Sequence, residues 1–557
     1  MSRSPLRPLL GCAIALYLLL GVTAESAHAQ LQPQQVLVLY DSRIPDSFEV
    51  AEYYAGSQKV QGGPIGNAPG VRPNVRTLDL AVLGGPALVN TDMSVQMYLD
   101  LRTQLRGYLR GQRLEFEVRC LVLTKGLPHR ILDFDDPQDD LKADRNPQPL
   151  GDSASFAFDE RVTGDASFAS LDSELTLLWK NTLDSERGQP GDSPADGAIQ
   201  NPYYGRTEPF SSFPNDGLLE QRSFSSVEGF FSTQDGPQSG PTNRRFGVRD
   251  LVLVSRLDGP TVESTIAAIN RAQNAIYDPR AQAIVLDESS SEGVQDLNGT
   301  DGEIDNSPSR LGVSDDYEAA RDALLADGRF LPSLIRYNAL SGRPEFLIGP
   351  LTGNTEATDE QIVQEPIVLL ASYGANHGGG QPGGIFTART LSDSFIYADG
   401  AIFNTLESFN GRGFGGLGTK ANQEQAVDFI AAGGTFAVAN AYEPLADTVA
   451  DNEWIVRNFI LGGMTWVEAA WTALPAVSWV QVVVGDPLAT AEIRISPTSC
   501  SPADLAEPFG VLDDLDVEAG WLHLLSGDAA ADFDGNGLIN ALDLTAFLAI
   551  FDEGCQP

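Results

Sequence analysis

The chain has 557 residues, 42% of them apolar, and 76 Asp and Glu against 36 Lys and Arg, for a formal net charge of -40. That length and apolar content allow a sizeable core and exclude wholesale disorder. A chain this acidic repels phosphate backbones, which excludes nucleic acid as a partner; the acidity suits divalent cations or a saline medium, and it equally keeps an exported protein in solution.

Residues 1–29 read as a signal peptide, with Arg3 and Arg7 at the charged start, an apolar run over 9–22 and a small-residue cleavage site at Ala27-His28-Ala29. The mature chain is expected to begin near Gln30 and to be exported, to an extracellular, periplasmic or cell-surface location. The apolar run is short for a membrane span and no later stretch matches it without polar interruption, so no transmembrane span is expected in the mature chain. Leu9-Leu10-Gly11-Cys12 does not make a lipoprotein signal, because the apolar run follows Cys12 instead of preceding it.

Residues 36–40 read as a first strand and 47–56 as a helix. The strand pattern returns at 74–80, 119–124, 251–257, 283–286, 367–373, 401–406, 435–440 and 480–484, with helical spacing at 94–110, 262–275 and 317–326. Continuous apolar strands separated by helices predict an α/β fold over residues 30–495: a doubly wound, largely parallel sheet covered on both faces. Ligands of such sheets bind beyond the carboxyl ends of the strands. Residues 131–165 and 185–245, rich in Gly, Pro, Ser, Asp and Asn, read as long loop insertions. Cys120 lies in an apolar strand and is expected to be an inert core thiol. The acidic run 287–305, with Asp296, Asn298, Asp301, Glu303 and Asp305, is a weaker cation candidate whose spacing misses a calcium-loop register.

Beyond residue 500 the chemistry changes. Calcium takes about six to eight oxygens, supplied at alternate positions of a loop of about twelve residues. Asp532, Asp534 and Asn536 stand at positions one, three and five, and Gly537 permits the sharp turn. Leu538 offers its carbonyl, Asn540 acts at position nine through water, and Asp543 closes the loop. Residues 544–551 carry the apolar spacing of an exiting helix. Upstream, Asp504, Asp513 and Asp516 match ligand positions of a second copy, in which Ala506 and Pro508-Phe509 replace the third and fifth ligands. One calcium site is therefore expected, with the first copy weak or empty. Cys500 and Cys555 bracket this segment, and export makes a disulfide between them plausible chemistry, stabilising by on the order of 4 kcal/mol.

An Asp closing the loop in place of Glu, the duplication, the leading Cys and the final Gly554-Cys555 make residues 500–557 resemble the dockerin-like tails of planctomycete-type exported proteins. That resemblance implies a small all-α, EF-hand-like module and a cohesin-like or cell-surface docking partner. By association with other dockerin-bearing proteins it implies a link to polysaccharide breakdown.

Asp41-Ser42-Arg43-Ile44-Pro45-Asp46-Ser47, Ala51-Glu52-Tyr53-Tyr54, Leu123-Thr124-Lys125-Gly126-Leu127-Pro128, Ser170-Leu171-Asp172-Ser173-Glu174-Leu175, Arg256-Leu257-Asp258-Gly259-Pro260-Thr261, Tyr442-Glu443-Pro444 and Val483-Val484-Gly485-Asp486-Pro487-Leu488 resemble one family of exported bacterial proteins of unknown function. The family brings no established chemistry. Lys125, Asp172, Glu174, Arg256, Asp258 and Glu443 lie in these motifs at strand ends, where they form either a polar site or loop-fixing salt bridges.

More distantly, the C-terminal half resembles the gingipain-type, caspase-like cysteine peptidases. Those place a Gly-His-Gly after one strand and a nucleophilic Cys after the next, and end in a strand carrying Val-Gly-Asp-Pro. Here Ala375-Asn376-His377-Gly378 stands at the histidine position and Glu407-Ser408-Phe409-Asn410-Gly411 at the cysteine position, and no cysteine lies there. The resemblance thus implies a binding or catalytically inactive caspase-like fold. The alternative is an extracellular hydrolase. It would be a serine-type peptidase or esterase with His377 as base for Ser408 and Gly378-Gly379-Gly380 as oxyanion donors, or a component of polysaccharide degradation.

Overall fold

The computed structural model of the chain describes residues 30–60, 69–88, 92–132, 169–179, 199–215, 217–219, 246–287, 316–338, 347–352, 361–372, 391–414, 424–442, 444, 448–495, 501–506, 509, 512–526, 531–533 and 538–555. The chain forms two compact units, one made of Met1–Ile276 and Ala281–Glu492, the other of Tyr277–Arg280 and Ile493–Pro557.

The first unit is built on a ten-stranded sheet. Its strands are β1 (Val36–Tyr40), β2 (Arg76–Asp79), β3 (Cys120–Thr124), β4 (Leu253–Leu257), β5 (Ala283–Asp287), β6 (Ile335–Asn338), β7 (Ile367–Ser372), β8 (Tyr397–Thr405), β9 (Phe436–Asn440) and β10 (Gln481–Val484). They are ordered β6-β5-β7-β8-β9-β10-β4-β3-β1-β2. β1, β3, β4, β5 and β7 are buried along their whole length, as apolar strands covered on both faces must be.

Every neighbouring pair is parallel except one. β9 and β10 run antiparallel, in a register from Ala437 opposite Val484 to Asn440 opposite Gln481. The sheet is therefore two parallel half-sheets of opposite direction, and their carboxyl ends open on opposite edges. This amends the expectation of a single binding edge. The run Gln481-Val482-Val483-Val484 is equally apolar in either direction, so periodicity carries no information about its polarity. β6 is also new: after the buried Ile335, its residues Arg336, Tyr337 and Asn338 are half-buried and polar, as an outer strand allows.

Helices cover the two faces. α1 (Pro45–Ala55) starts on a proline, whose missing N–H costs nothing at a helix start. α2 (Val95–Gly111) and α3 (Leu171–Thr176) begin at Ser94 and Ser170, whose hydroxyls accept from Met97 N and Ser173 N. α4 (Val262–Arg271) begins at Thr261, which accepts from Ser264 N. α5 spans Asp316–Asp327. α6 (Ala426–Ala432) ends at Gly433, at φ 120°, a conformation closed to most other residues. α7 spans Trp466–Ala473.

Side chains alternate along β9: Ala437 and Ala439 join a core cluster with Ala268 of α4 and Phe429 and Ile430 of α6, whereas Phe436 turns to the other face and meets Phe459 and Trp466 at ring-centroid distances of 5.2 and 4.8 Å. Three buried indoles tie that second layer to the backbone. Trp466 Nε1 donates to Val484 O at 2.9 Å, Trp471 Nε1 to Val254 O at 2.8 Å and Trp479 Nε1 to Pro444 O at 3.1 Å. A ribbon of Asp92–Ser94, Arg130–Leu132 and Ala169–Ser170 sits beside α2 and α3.

In the second unit, α8 (Asp514–Ser526) and α9 (Ala541–Glu553) are each thirteen residues long. They meet at Gly520, where an added Cβ would stand 2.8 Å from the Phe547 ring. Phe547 in turn lies 5.1 Å from the Phe533 ring and 6.0 Å from the Phe551 ring. Cys555 is in a disulfide, while Cys120 in β3 is a free, buried thiol. Cys500 lies outside the described residues.

Candidate functional sites at the two sheet edges

At the edge where β10, β4, β3 and β1 end, the chain places Asp486, Asp258, Lys125 and Asp41 in a row, one per strand. Asp258 is held by Arg256, the penultimate residue of β4, which is fully buried. Its Nε and Nη2 grip Asp172 of α3 at 3.2 and 2.8 Å, and its Nη1 reaches Asp258 at 3.2 Å. The remaining donors go to the carbonyls of Leu127 at 3.0 Å and Pro128 at 2.7 Å. All five guanidinium N–H groups are thus occupied, which only a planar fork in a rigid surround achieves. Burial works against the charge, but Asp172 and Asp258 hold Arg256 in its cationic form. Lys125 adds a second cation, with Nζ 2.6 Å from Gly259 O and 3.4 Å from Asp258.

The other edge residues are engaged in the same way. Asp486 accepts from Tyr54 Oη at 2.6 Å, Arg72 Nη2 at 2.7 Å, Gln273 Nε2 at 2.9 Å and Leu488 N at 3.0 Å. Asp41 is gripped by Arg43, which pulls its carboxyl below the usual range against the burial that pushes it up. Ser47 Oγ accepts from Asp41 N at 2.9 Å and shares a hydrogen bond of 2.7 Å with Thr124, whose hydroxyl also reaches Leu39 O. The structure therefore brings together Lys125, Asp172, Arg256 and Asp258. Glu174 stands apart, accepting from the Ser478 hydroxyl, with burial pushing it up to about 7. Glu443 lies outside the described residues.

His129, next to Arg130 in the chain, is fully buried, and neither ring nitrogen has a hydrogen-bond partner. Burial first, then the charges of Arg256 and Arg130, hold it well below the usual histidine range, so it is neutral.

The opposite edge collects the ends of β6, β5, β7, β8 and β9, and its carboxylates are held by neutral donors. Asp287 at the end of β5 accepts from Asn338 Nδ2 at 2.6 Å and Leu347 N at 2.9 Å, and burial pushes it up to about 8. Glu407, just past β8, accepts from Glu424 N at 2.9 Å and Thr405 Oγ1 at 3.3 Å. Glu424 accepts from Leu391 N and Ser392 N, both at 3.1 Å, and burial raises it to about 7. Asn410 ties the turn down, donating to Thr405 O at 3.1 Å and accepting from Asn440 N at 2.6 Å.

Ser408 lies in this turn, half-buried, and the next residue, Phe409, has φ 59°, a left-handed conformation that costs a bulky side chain energy. His377 lies outside the described residues, so the expected pairing with Ser408 has one described member. Sequence reading missed Glu407, Glu424 and Asn410 as a group. The one signal was Glu407 closing the apolar run of β8, which does not say whether its partner is a cation or an amide.

In the second unit, Asp534, Asn536 and Gly537 of the expected calcium loop lie outside the described residues. Asp543 is fully buried, and its Oδ2 accepts from Asn540 N at 2.8 Å. Asn540 Oδ1 accepts from Leu542 N at 2.9 Å, and its Nδ2 donates to Leu538 O at 2.9 Å. The upstream copy repeats this cap: Asp516 Oδ2 accepts from Asp513 N at 2.9 Å, while its Oδ1 accepts from Leu505 N at 2.6 Å and Ala506 N at 2.7 Å. Among the described residues no group of three or more His, Cys, Asp or Glu is placed to hold a metal ion, and no helix is long and apolar enough to cross a membrane.

Comparison with known proteins finds no matching family model, no similar curated protein and no similar solved structure.

Proposed function

We propose that the chain is an exported protein that docks through a calcium-binding, dockerin-like tail, and that its large unit is a binding or catalytically inactive relative of the caspase-like fold. Calcium is held by Asp532, Asp534, Asn536, the Leu538 carbonyl, Asn540 and Asp543, and the docking partner is a cohesin-like or cell-surface protein.

The observation that carries the reading is the repeated cap. Asp516 and Asp543 each bind the backbone N–H three residues before them, at 2.9 and 2.8 Å, and each opens a thirteen-residue helix. Two helices of equal length, with an aspartate at the third position of each, support an EF-hand-like pair with Asp at the closing position. Calcium titration of the full chain by calorimetry should give one tight site, absent in Asp532→Ala. No binding, or two equal sites, would overturn the reading.

For the large unit, the support is that its strand-end motif charges are spent on one another. Arg256 and Asp172 are fully buried and mutually bonded, so they cannot touch a substrate. One observation favours the hydrolase alternative: Ser408 immediately precedes the strained Phe409 at the carboxyl end of β8. A fluorophosphonate label on Ser408 of the calcium-loaded protein would favour that alternative, whereas an unlabelled, folded protein supports the inactive reading. The link to polysaccharide degradation rests on the dockerin association alone.

A further inference from the structure

A row of arginines marks α2. Arg102, Arg106 and Arg110 stand at intervals of four, which puts them on one helix face. In a chain of net charge -40 such a stripe is against the grain. The Trp179 ring, three residues past α3, lies along it, 5.7 Å from the Arg106 guanidinium and 5.4 Å from that of Arg110. An indole face attracts cations, so the tryptophan holds the two arginines side by side at a spacing that their charges oppose.

The electrostatics of the stripe are one-sided. Arg110 has a long contact with Glu115, at 3.4 Å, and Arg102 lies on the Glu174 side, next to Tyr98. Arg106, between them, has its Nε buried without a hydrogen-bond partner. Burial first, then Arg102 and Arg110, lower its proton affinity, opposed only by Tyr98. A half-buried guanidinium normally finds a carboxylate or carbonyl; Arg256 and Arg130 in the same unit do. Here the helix presents a half-buried guanidinium whose Nε is sealed and unpartnered and whose outer edge has no carboxylate against it among the described residues, flanked by further cations and backed by an aromatic ring.

We propose that Arg106, with Arg110 and Trp179, forms an oxyanion-binding site for a sulfate or carboxylate group. A guanidinium fork binds such groups through two parallel N–H···O bonds, and the oxyanion relieves the repulsion between neighbouring arginines. The bound group is either a free ion or a substituent on an anionic polymer. This inference does not depend on the calcium or hydrolase readings.

The test is thermal unfolding of the full chain with sodium sulfate, and separately with dextran sulfate, each against sodium chloride at matched ionic strength. The parent should be stabilised in a saturable way, and Arg106→Gln should lose at least tenfold in apparent affinity. Because Arg106 carries an unbalanced charge, Arg106→Gln without anion should unfold at the same temperature as the parent or higher, which separates lost binding from misfolding. Arg110→Gln, at an exposed position, should weaken binding by a smaller factor. A tenfold or larger preference for dextran sulfate at equal sulfate identifies a polymeric source, and an equal response identifies the free ion. The proposal fails if neither anion stabilises the parent, if Arg106→Gln responds as the parent does, or if Arg106→Gln unfolds several degrees lower without any anion response, since the guanidinium would then serve a partner within the chain.

Discussion

The two half-sheets solve the same problem in opposite ways. Both bury carboxylates near strand ends, where a polar chain leaves an apolar layer. In the half formed by β10, β4, β3, β1 and β2, cations meet them: Arg256 and Lys125 at Asp258, Arg72 at Asp486, Arg43 at Asp41. In the half formed by β6, β5, β7, β8 and β9, amides meet them: Asn338 and Leu347 N at Asp287, Leu391 N and Ser392 N at Glu424. A cation beside a buried carboxylate opposes the rise that burial causes, as Arg256 does at Asp172, whereas a carboxylate among neutral donors moves further toward the protonated form. The lesson is that, Glu174 with its Ser478 donor excepted, one half depends on charge pairing and the other on protonation, so the two should fail under different insults.

The largest effect is expected where a charge pair is broken. Arg256→Met leaves Asp172 and Asp258 without their shared cation, and removing one partner of a buried pair costs about 3–5 kcal/mol. Urea denaturation should show a loss of that order. Adding Asp172→Leu to it should recover part of the loss, since replacing both charges by apolar groups is tolerated far better than orphaning one. A loss below about 1 kcal/mol in the single variant would show that Asp172 and Asp258 do not depend on Arg256.

The opposite half should answer to pH. Asp287 is raised from 3.8 to about 8 by burial, so its folded form binds a proton that its unfolded form has lost over most of that window. Its contribution to stability is fully present below about pH 3.8 and is lost as pH rises through 8. Glu424, raised to about 7, acts in the same direction. Asp287→Asn keeps the shape and removes the titration. The difference in unfolding free energy between variant and parent should therefore shift in favour of the variant as pH rises from 5 to 9, by a few kcal/mol at about 1.4 kcal/mol per unit. A difference independent of pH would mean that Asp287 stays ionised in the fold.

Much of this contrast could be read from the chain, and part could not. Val36–Tyr40, Cys120–Thr124 and Ala283–Asp287 announce themselves as buried strands because four or five consecutive apolar or near-apolar residues have no other stable place. The motif residues Lys125, Asp172, Arg256 and Asp258 were visible as a charged set, but nothing in their spacing said that they face each other. That depends on α3, about eighty residues upstream of Arg256, lying against β4. The direction of β10 was hidden for a simpler reason: a Gln-Val-Val-Val strand has no polarity in its sequence, so the opposite edges emerge only from tertiary pairing. At Asp287 and Glu424 the sequence shows an acid but not its partner. Amide and guanidinium partners give opposite protonation states from the same letter.

The smallest effect tests the first half against its own rule. His129 is a buried group there whose ring nitrogens have no hydrogen-bond partner, neutral with Arg256 and Arg130 as the charges acting on it. Its folded affinity for a proton is depressed below the unfolded value of 6.5, so its contribution to stability is intact above that pH and falls as acid is added. Asp287 and Glu424 drive the protein the other way over the same range, so the parent's acid limb reports only their difference. His129→Leu removes one contributor and leaves no ring nitrogen unsatisfied. At pH 8 its stability should stay within about 1 kcal/mol of the parent, because a buried imidazole without hydrogen bonds has little to lose. Below pH 6 the variant should gain on the parent, by about 1 kcal/mol per unit. If the variant instead loses several kcal/mol at every pH, the imidazole is bonded in solution.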